Sequence, residues 1–213
     1  VLTAVLERFA AEREGVLGVV PGLVIEPDDS WTPVADLLGT PLLGRLVDET
    51  AARWNAPRHV GAALLWKTYS YWHTLPMAVG WALDGRVPIM KFQDTWFKVS
   101  PAGVTIGATS VTWSDVSAIR PALLESQEPL VKELSRIARV GERTLWGSTA
   151  EAVAHPLQTY VPGDYMRLLS EIGKPVDGLI RRTADGYLRR TCCLWITLPD
   201  VEPCSTCCVL SGN

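Results

Sequence analysis

Five cysteines, Cys192, Cys193, Cys204, Cys207 and Cys208, are the only ones in a chain of 213 residues, and all of them sit near its end. Thiolates gathered in one place can hold a metal ion, hold an iron–sulfur cluster or pair as disulfides, so their spacing has to choose among these chemistries. Cys204-x2-Cys207 has the form of half a metal site, two ligands straddling one ion. Cys192-Cys193 has no spacer at all. Adjacent side chains on a strand point to opposite faces, and residues 187–198 otherwise read as a strand, so both sulfurs reach one centre only if the backbone bulges or turns between them. Irregular backbone is therefore expected at Cys192-Cys193. Disulfides are the least favoured reading. Vicinal cysteines bridge only with strain, and the sequence as given, which begins at Val1 rather than methionine, shows no secretory signal.

The pattern C-C-x10-C-x2-C near the end, with Arg189-Arg190 before it and Leu194-Trp195 directly after the cysteine pair, resembles the ferric-siderophore reductases that carry a C-terminal 2Fe-2S centre. A second stretch, Thr144-Leu145-Trp146-Gly147-Ser148-Thr149-Ala150, is similar to the Leu-Trp-Gly-Asn-x-Ala segment on a helix of the same family. The resemblance covers mainly the second half of the chain. It implies Cys192, Cys193, Cys204 and Cys207 as the four ligands of a 2Fe-2S cofactor, with no catalytic residue beyond the cluster, because outer-sphere transfer of one electron needs no acid, base or nucleophile. Cys208 departs from the simplest family pattern and is read as a bystander, or else as a C-x3-C replacement for Cys207. The implied activity is reduction of siderophore-bound iron(III), hydroxamate chelates among the candidates, by a cytoplasmic enzyme that works in solution or at the inner face of a membrane. Electrons would come from an external donor such as a ferredoxin or a flavin reductase.

Four arginines flank the cysteines. Arg181, Arg182, Arg189 and Arg190 could stabilise a reduced, more anionic centre or attract an acidic donor or an anionic chelate, with a solvated charged face as the plain alternative. Arg189 and Arg190 are the first candidates for chelate or donor contact. Trp195, two residues from Cys193, is a candidate shield against water and a further candidate for chelate or donor contact. The other tryptophans of the nine, including Trp66, Trp72 and Trp81, are by default core residues. His59, His73 and His155 are scattered and none adjoins the cysteines, so a mixed His/Cys centre has no support in the sequence; His73 reads as a core histidine with its hydrogen bonds satisfied.

The elements that must position these groups are mainly helical. Residues 2–13 show helical spacing, and residues 15–22 break it. Asp29-Ser30-Trp31-Thr32-Pro33 looks like a helix start, leading to a helix over 34–54 with an interruption at Gly39-Thr40-Pro41. Residues 58–83 are apolar nearly all round, as a central buried helix would be, with Pro76 expected to kink or divide it. After Asp84-Gly85-Arg86 the period shortens to about two. Residues 87–90, 95–99 and 104–108 read as strands of a small antiparallel sheet, with 100–103 as a turn. Helices are expected over 128–139, amphipathic and peripheral, over 142–155, over a short run to Ile172 capped by Pro162-Gly163-Asp164, and over 177–183. The fold class is α+β, mainly helical, with residues 1–186 as the body and 187–213 as a cluster-binding segment packed on it as one unit.

Composition narrows the function classes. A hydrophobic share of 47% with 20% charged residues is that of a globular domain, and a net charge of -3 argues against a general nucleic-acid binder. The stretch 60–83 is long enough for a membrane span, but Lys67, His73, Thr68, Ser70, Tyr69, Thr74 and Pro76 make insertion costly. There is no G-x-G-x-x-G after a strand, no P-loop and no G-x-S-x-G elbow, so no nicotinamide or nucleotide site is expected within the chain. Two other classes remain open: a binding module whose tail folds around structural zinc, and an iron–sulfur redox sensor that reduces nothing.

Overall fold

The computed structural model describes residues 1–12, 18–100 and 103–209. It is an α+β structure, mainly helical, built around one long helix. Helices α1 (Leu2–Glu12), α2 (Leu42–Arg53), α3 (Arg58–Asp84), α4 (Ile119–Ser126), α5 (Glu128–Ala138), α6 (Glu142–Thr159) and α7 (Tyr165–Ile172) are joined by short strands and 3-10 turns. The break expected over 15–22 falls partly outside the described residues, as does the tip of the turn at 100–103.

Helix α3 is 27 residues long and buries Val60, Ala63, Trp66, Tyr69, His73, Met77 and Val79 around much of its circumference, which is why its sequence lacks a polar stripe. It begins after Pro57, whose extended backbone precedes the first turn, and ends where Gly85 takes φ 72°, a left-handed conformation that costs glycine little. Pro76 lies inside the helix without dividing it. The expectation of a break gives way to packing: one missing backbone donor, a local loss, is outweighed by burial along both neighbouring turns. The most extensive helix pairing is that of α3 with α6.

The strands form a four-stranded sheet in the order β1-β5-β4-β2 and two small ribbons, β3-β6 and β7-β8. The hairpin of β4 (Thr95–Ser100) and β5 (Gly103–Ala108) is antiparallel, as its period-two pattern predicts. The sheet as a whole is mixed, because β1 (Val19–Val24) lies parallel to β5, while β2 (Thr32–Pro33) pairs antiparallel with β4. Strand β3 (Val87–Ile89) leaves that sheet and pairs with β6 (Thr112–Ser114).

Several boundaries move for local reasons. The helix expected over 34–54 becomes a 3-10 turn, Val34–Leu37, and then α2, because Gly39 takes φ 71° and Pro41 occupies the N-cap of the new helix. Helix α4 was missed because its eight residues carry too short an apolar run to stand out from α5. The segment 177–183, expected as a helix, is instead a turn with Gly178 at φ 77° followed by β7 (Ile180–Thr183), which pairs antiparallel with β8 (Gly186–Arg189). Helix α7 is capped as the sequence indicates: the Asp164 carboxylate accepts the Arg167 backbone N–H at 3.2 Å. No helix of the described residues is long and apolar enough to cross a membrane.

Candidate metal centre

Strand β8 supplies the approach to the cysteines, and its period of two sorts the residues there. Tyr187 and Arg189 face inward, while Leu188 is half-buried and Arg190 is exposed. The strand stops at Arg189, so the extended reading of residues 187–198 holds only for its first three residues. Beyond it the backbone at Cys192-Cys193 is irregular, and Leu194 takes φ 65°, a left-handed turn that a leucine adopts only where its surroundings enforce it. A short 3-10 turn, Trp195–Thr197, follows. Leu198 then packs on Val60 and Leu64 of α3, with Leu194, Trp195 and Val201 around them, which docks the tail on the long helix.

The sulfurs of Cys193 and Cys204 are 3.8 Å apart. Two thiolates on one tetrahedral iron or zinc, each about 2.3 Å from it, are spaced at about 3.8 Å. This pair therefore stands at ligand spacing, although its members are joined through a loop. Cys204 and Cys207 are brought to one side by a tight turn, in which the Cys207 N–H donates to the Cys204 carbonyl at 3.0 Å. The Leu194 N–H donates to the Cys192 sulfur at 3.3 Å, the kind of N–H···S bond that tunes iron–sulfur centres. Cys208 is half-buried; burial pushes its thiol up, and neighbouring Cys192 and Cys207 push it further.

Electrostatics around the pair favour one thiolate. The hydrogen bond with Cys204 draws Cys193 down to about 5 against the opposing effect of burial, with Lys67 and Arg189 adding to the fall. The same hydrogen bond, together with burial, pushes Cys204 up.

Arg189 is not where the sequence suggests. Its side chain is 1% exposed, so it cannot touch a chelate or a donor in solution. Its Nη1 donates to Glu151 Oε2 at 2.8 Å and its Nη2 to Ser148 Oγ at 3.1 Å, both on α6. The other carboxylate oxygen of Glu151 accepts from Thr206 Oγ1 at 2.7 Å, and the Arg189 backbone N–H donates to the Thr206 carbonyl at 3.1 Å. Lys67 Nζ stands 3.8 Å from Glu151 Oε2. Burial pushes the Glu151 carboxyl up, but Arg189, Lys67, Thr206 and His155 together outweigh it and hold it below its ordinary value. Because Thr206 lies between Cys204 and Cys207, this knot clamps the second cysteine pair to the helical body.

The remaining candidates divide. Arg190 and Arg181 are exposed. Arg182 is also exposed but pairs with Asp164 at the start of α7 and lies over the Tyr165 ring, 5.3 Å from its centroid. Trp195 meets Trp54 edge-on, 5.0 Å between ring centroids, and its Nε1 donates to the Glu202 carbonyl at 3.0 Å. His73 is fully buried beside Gln127, and His155 Nδ1 bonds to the Tyr71 hydroxyl at 2.9 Å.

Glu151 has no role in the sequence reading. Its signal was there: a carboxylate in the run Ala150-Glu151-Ala152-Val153-Ala154, on a buried helix, must find a cation. The two stretches that carry the family resemblance also meet. A methyl group at Gly147 would collide with Thr191 Oγ1, just before Cys192, and come within 3.3 Å of Arg189 Nη2. Gly147 is what lets the strand that leads to the cysteines lie against α6.

Among the described residues no group of three or more His, Cys, Asp or Glu side chains is gathered tightly enough to hold a metal ion. The donor set nevertheless fits a two-iron centre in kind, since such a centre takes its thiolates two per iron rather than four around one point, and one pair is at ligand spacing. No protein-family model matches the chain, and no curated protein matches it.

Proposed function

We propose that this chain is a ferric-siderophore reductase that transfers one electron to chelated iron(III) and so releases iron(II) in the cytoplasm. Cys192, Cys193, Cys204 and Cys207 would hold a 2Fe-2S centre, which when bound supplies electrons one at a time. The observation that carries the reading is the contact of Gly147 with Thr191: two separate stretches, each resembling the same family, pack on one another at the cysteines.

The chain's own residues have three tasks. Glu151, held by Arg189 and Thr206, fixes the loop between Cys204 and Cys207. Lys67 and Arg189 set a positive field that Glu151 partly offsets, which favours the thiolate form of Cys193 and the more anionic state of a bound centre. Trp195 and the apolar cluster around Leu198 dock the tail on the start of α3. On the substrate side, hard oxygen donors that grip iron(III) hold iron(II) far less well, so one electron suffices for release. That electron comes from a separate donor, a ferredoxin or a flavin reductase.

The test is anaerobic mixing of the reduced protein with a ferric siderophore while a colorimetric iron(II) chelator reports release. The wild-type chain is expected to release iron(II), Cys204→Ser to lose both bound iron and activity, and Cys208→Ser to keep both. A chain that binds iron and sulfide yet releases no iron(II) is a sensor. Loss of the centre in Cys208→Ser would show that the ligand set is wrong.

A further inference from the structure

Cys193 and Cys204 are placed for a chemistry of their own. Their sulfurs are 3.8 Å apart, and a disulfide needs about 2.05 Å, so a closure of about 1.8 Å joins them. Neither residue lies in a helix or strand. Cys193 is in the irregular backbone between β8 and the turn Trp195–Thr197, and Cys204 is in the loop beyond that turn, so loop backbone on both sides can absorb the shift.

The two sulfurs differ in access. Cys193 is 2% exposed, whereas Cys204 is half-buried and lines two cavities. One is a cleft of about 520 Å³ with Trp54 of α2, Leu64 of α3, Val99 of the β4-β5 hairpin and Trp195 of the tail among its walls. The other, about 370 Å³, has Lys67, Tyr71 and Ser205 in its lining. A small molecule that enters either cavity reaches Cys204 before Cys193. An accessible thiol in contact with a buried one is the arrangement of an attacking and a resolving cysteine.

We propose that Cys204 is a site of thiol–disulfide exchange with low-molecular-weight disulfides, and that Cys193 resolves it to an internal bridge. In the first step the Cys204 sulfur attacks one sulfur of the small disulfide, forming a mixed disulfide on Cys204 and releasing one thiol. In the second the Cys193 sulfur attacks the Cys204 sulfur, closing the Cys193–Cys204 bridge and releasing the other thiol. The protons of the two cysteines end on the two released thiols, and an electron pair passes from the chain to the small disulfide. A regulatory consequence rests on the reductase reading. The bridge takes Cys193 from the first cysteine pair and Cys204 from the second, so the tail cannot present four thiolates until a dithiol reductant reopens it. In the loaded chain both sulfurs are ligands, and only the metal-free chain exchanges.

The test uses the full chain, metal-free and reduced, freed of reductant and incubated with glutathione disulfide. The remaining thiols are alkylated in denaturant, and the chain is cut before Asp200, which separates Cys192-Cys193 from the other three cysteines. Mass spectrometry of the wild-type chain is expected to show the two cysteine peptides joined. Cys193→Ser should stop at the first step and carry glutathione on Cys204. Cys204→Ser should slow the joining roughly ten-fold or more, while Cys192→Ser and Cys207→Ser should join as the wild type does. A Cys204 thiol left free, a bridge between Cys204 and Cys207, or a joined product that survives Cys193→Ser and disappears in Cys192→Ser would overturn the exchange site. Iron and sulfide are then offered to the reduced and the bridged chains. Loading of the reduced chain alone is the expected result, and equal loading of both overturns the regulation. A reduced chain that loads neither removes the reductase reading and leaves the exchange site to stand or fall on the peptides.

Discussion

Helices α3 and α6 enclose two buried polar knots that share the same packing interface but differ in charge. In the first, the Gln127 amide donates to His73 Nδ1 at 3.0 Å and to Thr74 Oγ1 at 2.9 Å, and its carbonyl accepts from Thr149 Oγ1 at 2.9 Å. It is neutral, and against the expectation of a fully satisfied core histidine it leaves His73 Nε2 without a hydrogen-bond partner. The second joins Glu151 and Ser148 on α6 to Arg189 on β8 and Thr206 in the cysteine loop, with Lys67 of α3 nearby. Burial of polar groups alone therefore does not mark a functional site. The neutral knot fixes how helices pack, whereas the charged one ties the body to the segment that carries the thiols.

Substitutions that strike one knot and spare the other sharpen this contrast. The largest effect is expected from Glu151→Ala, which strands the Arg189 guanidinium in the interior; the cost is about 3–5 kcal/mol in chemical denaturation, accompanied by loss of bound metal. Unchanged metal content in a folded Glu151→Ala protein would detach the knot from the cysteines.

The neutral knot responds to pH instead. Burial holds His73 down to about 4 from its ordinary 6.5, so the folded state takes up its proton later than the unfolded state as pH falls. Stability from this group is complete above pH 6.5 and is lost progressively down to about pH 4, by roughly 3 kcal/mol in all. His73→Gln should flatten that part of the stability profile, and an unaltered slope would contradict the assignment.

A matched pair comes next. Gly147→Ala pushes on Thr191, and Thr149→Val leaves the Gln127 carbonyl unpaired, each at about 1–3 kcal/mol. Only Gly147→Ala should lower metal content, which elemental analysis of the two purified variants would decide. The smallest effect is expected at Arg182→Ala, which breaks an exposed pair with Asp164 and should leave both the denaturation midpoint and the metal content unchanged.

Much of this organisation could be read from the chain. The all-round apolar pattern of α3, the amphipathic pattern of α5, the Asp164 cap and the irregular backbone at Cys192-Cys193 all follow from local rules of period, capping and side-chain direction. What local rules miss is partnership across long separations. Arg189 looked like half of a surface pair because its carboxylate partner is 38 residues away, although the alternation of Tyr187 and Arg189 against Leu188 and Arg190 already placed it inward. The segment 177–183 failed differently: Gly178 and the strand-forming partner beyond Gly186 outweighed a weak helical period. The cleft beside Cys204 draws its walls from α2, α3, the β4-β5 hairpin and the tail, a conjunction that no sequence window contains.

The central claim is that the cysteine tail holds a 2Fe-2S centre. It is tested most directly by iron, sulfide and zinc analysis, with a visible absorption spectrum, on protein purified without oxygen. The account predicts about two irons and two sulfides per chain and a brown colour that bleaches on reduction. One zinc per chain with no sulfide and no colour would contradict it and leave a domain stapled by a structural metal.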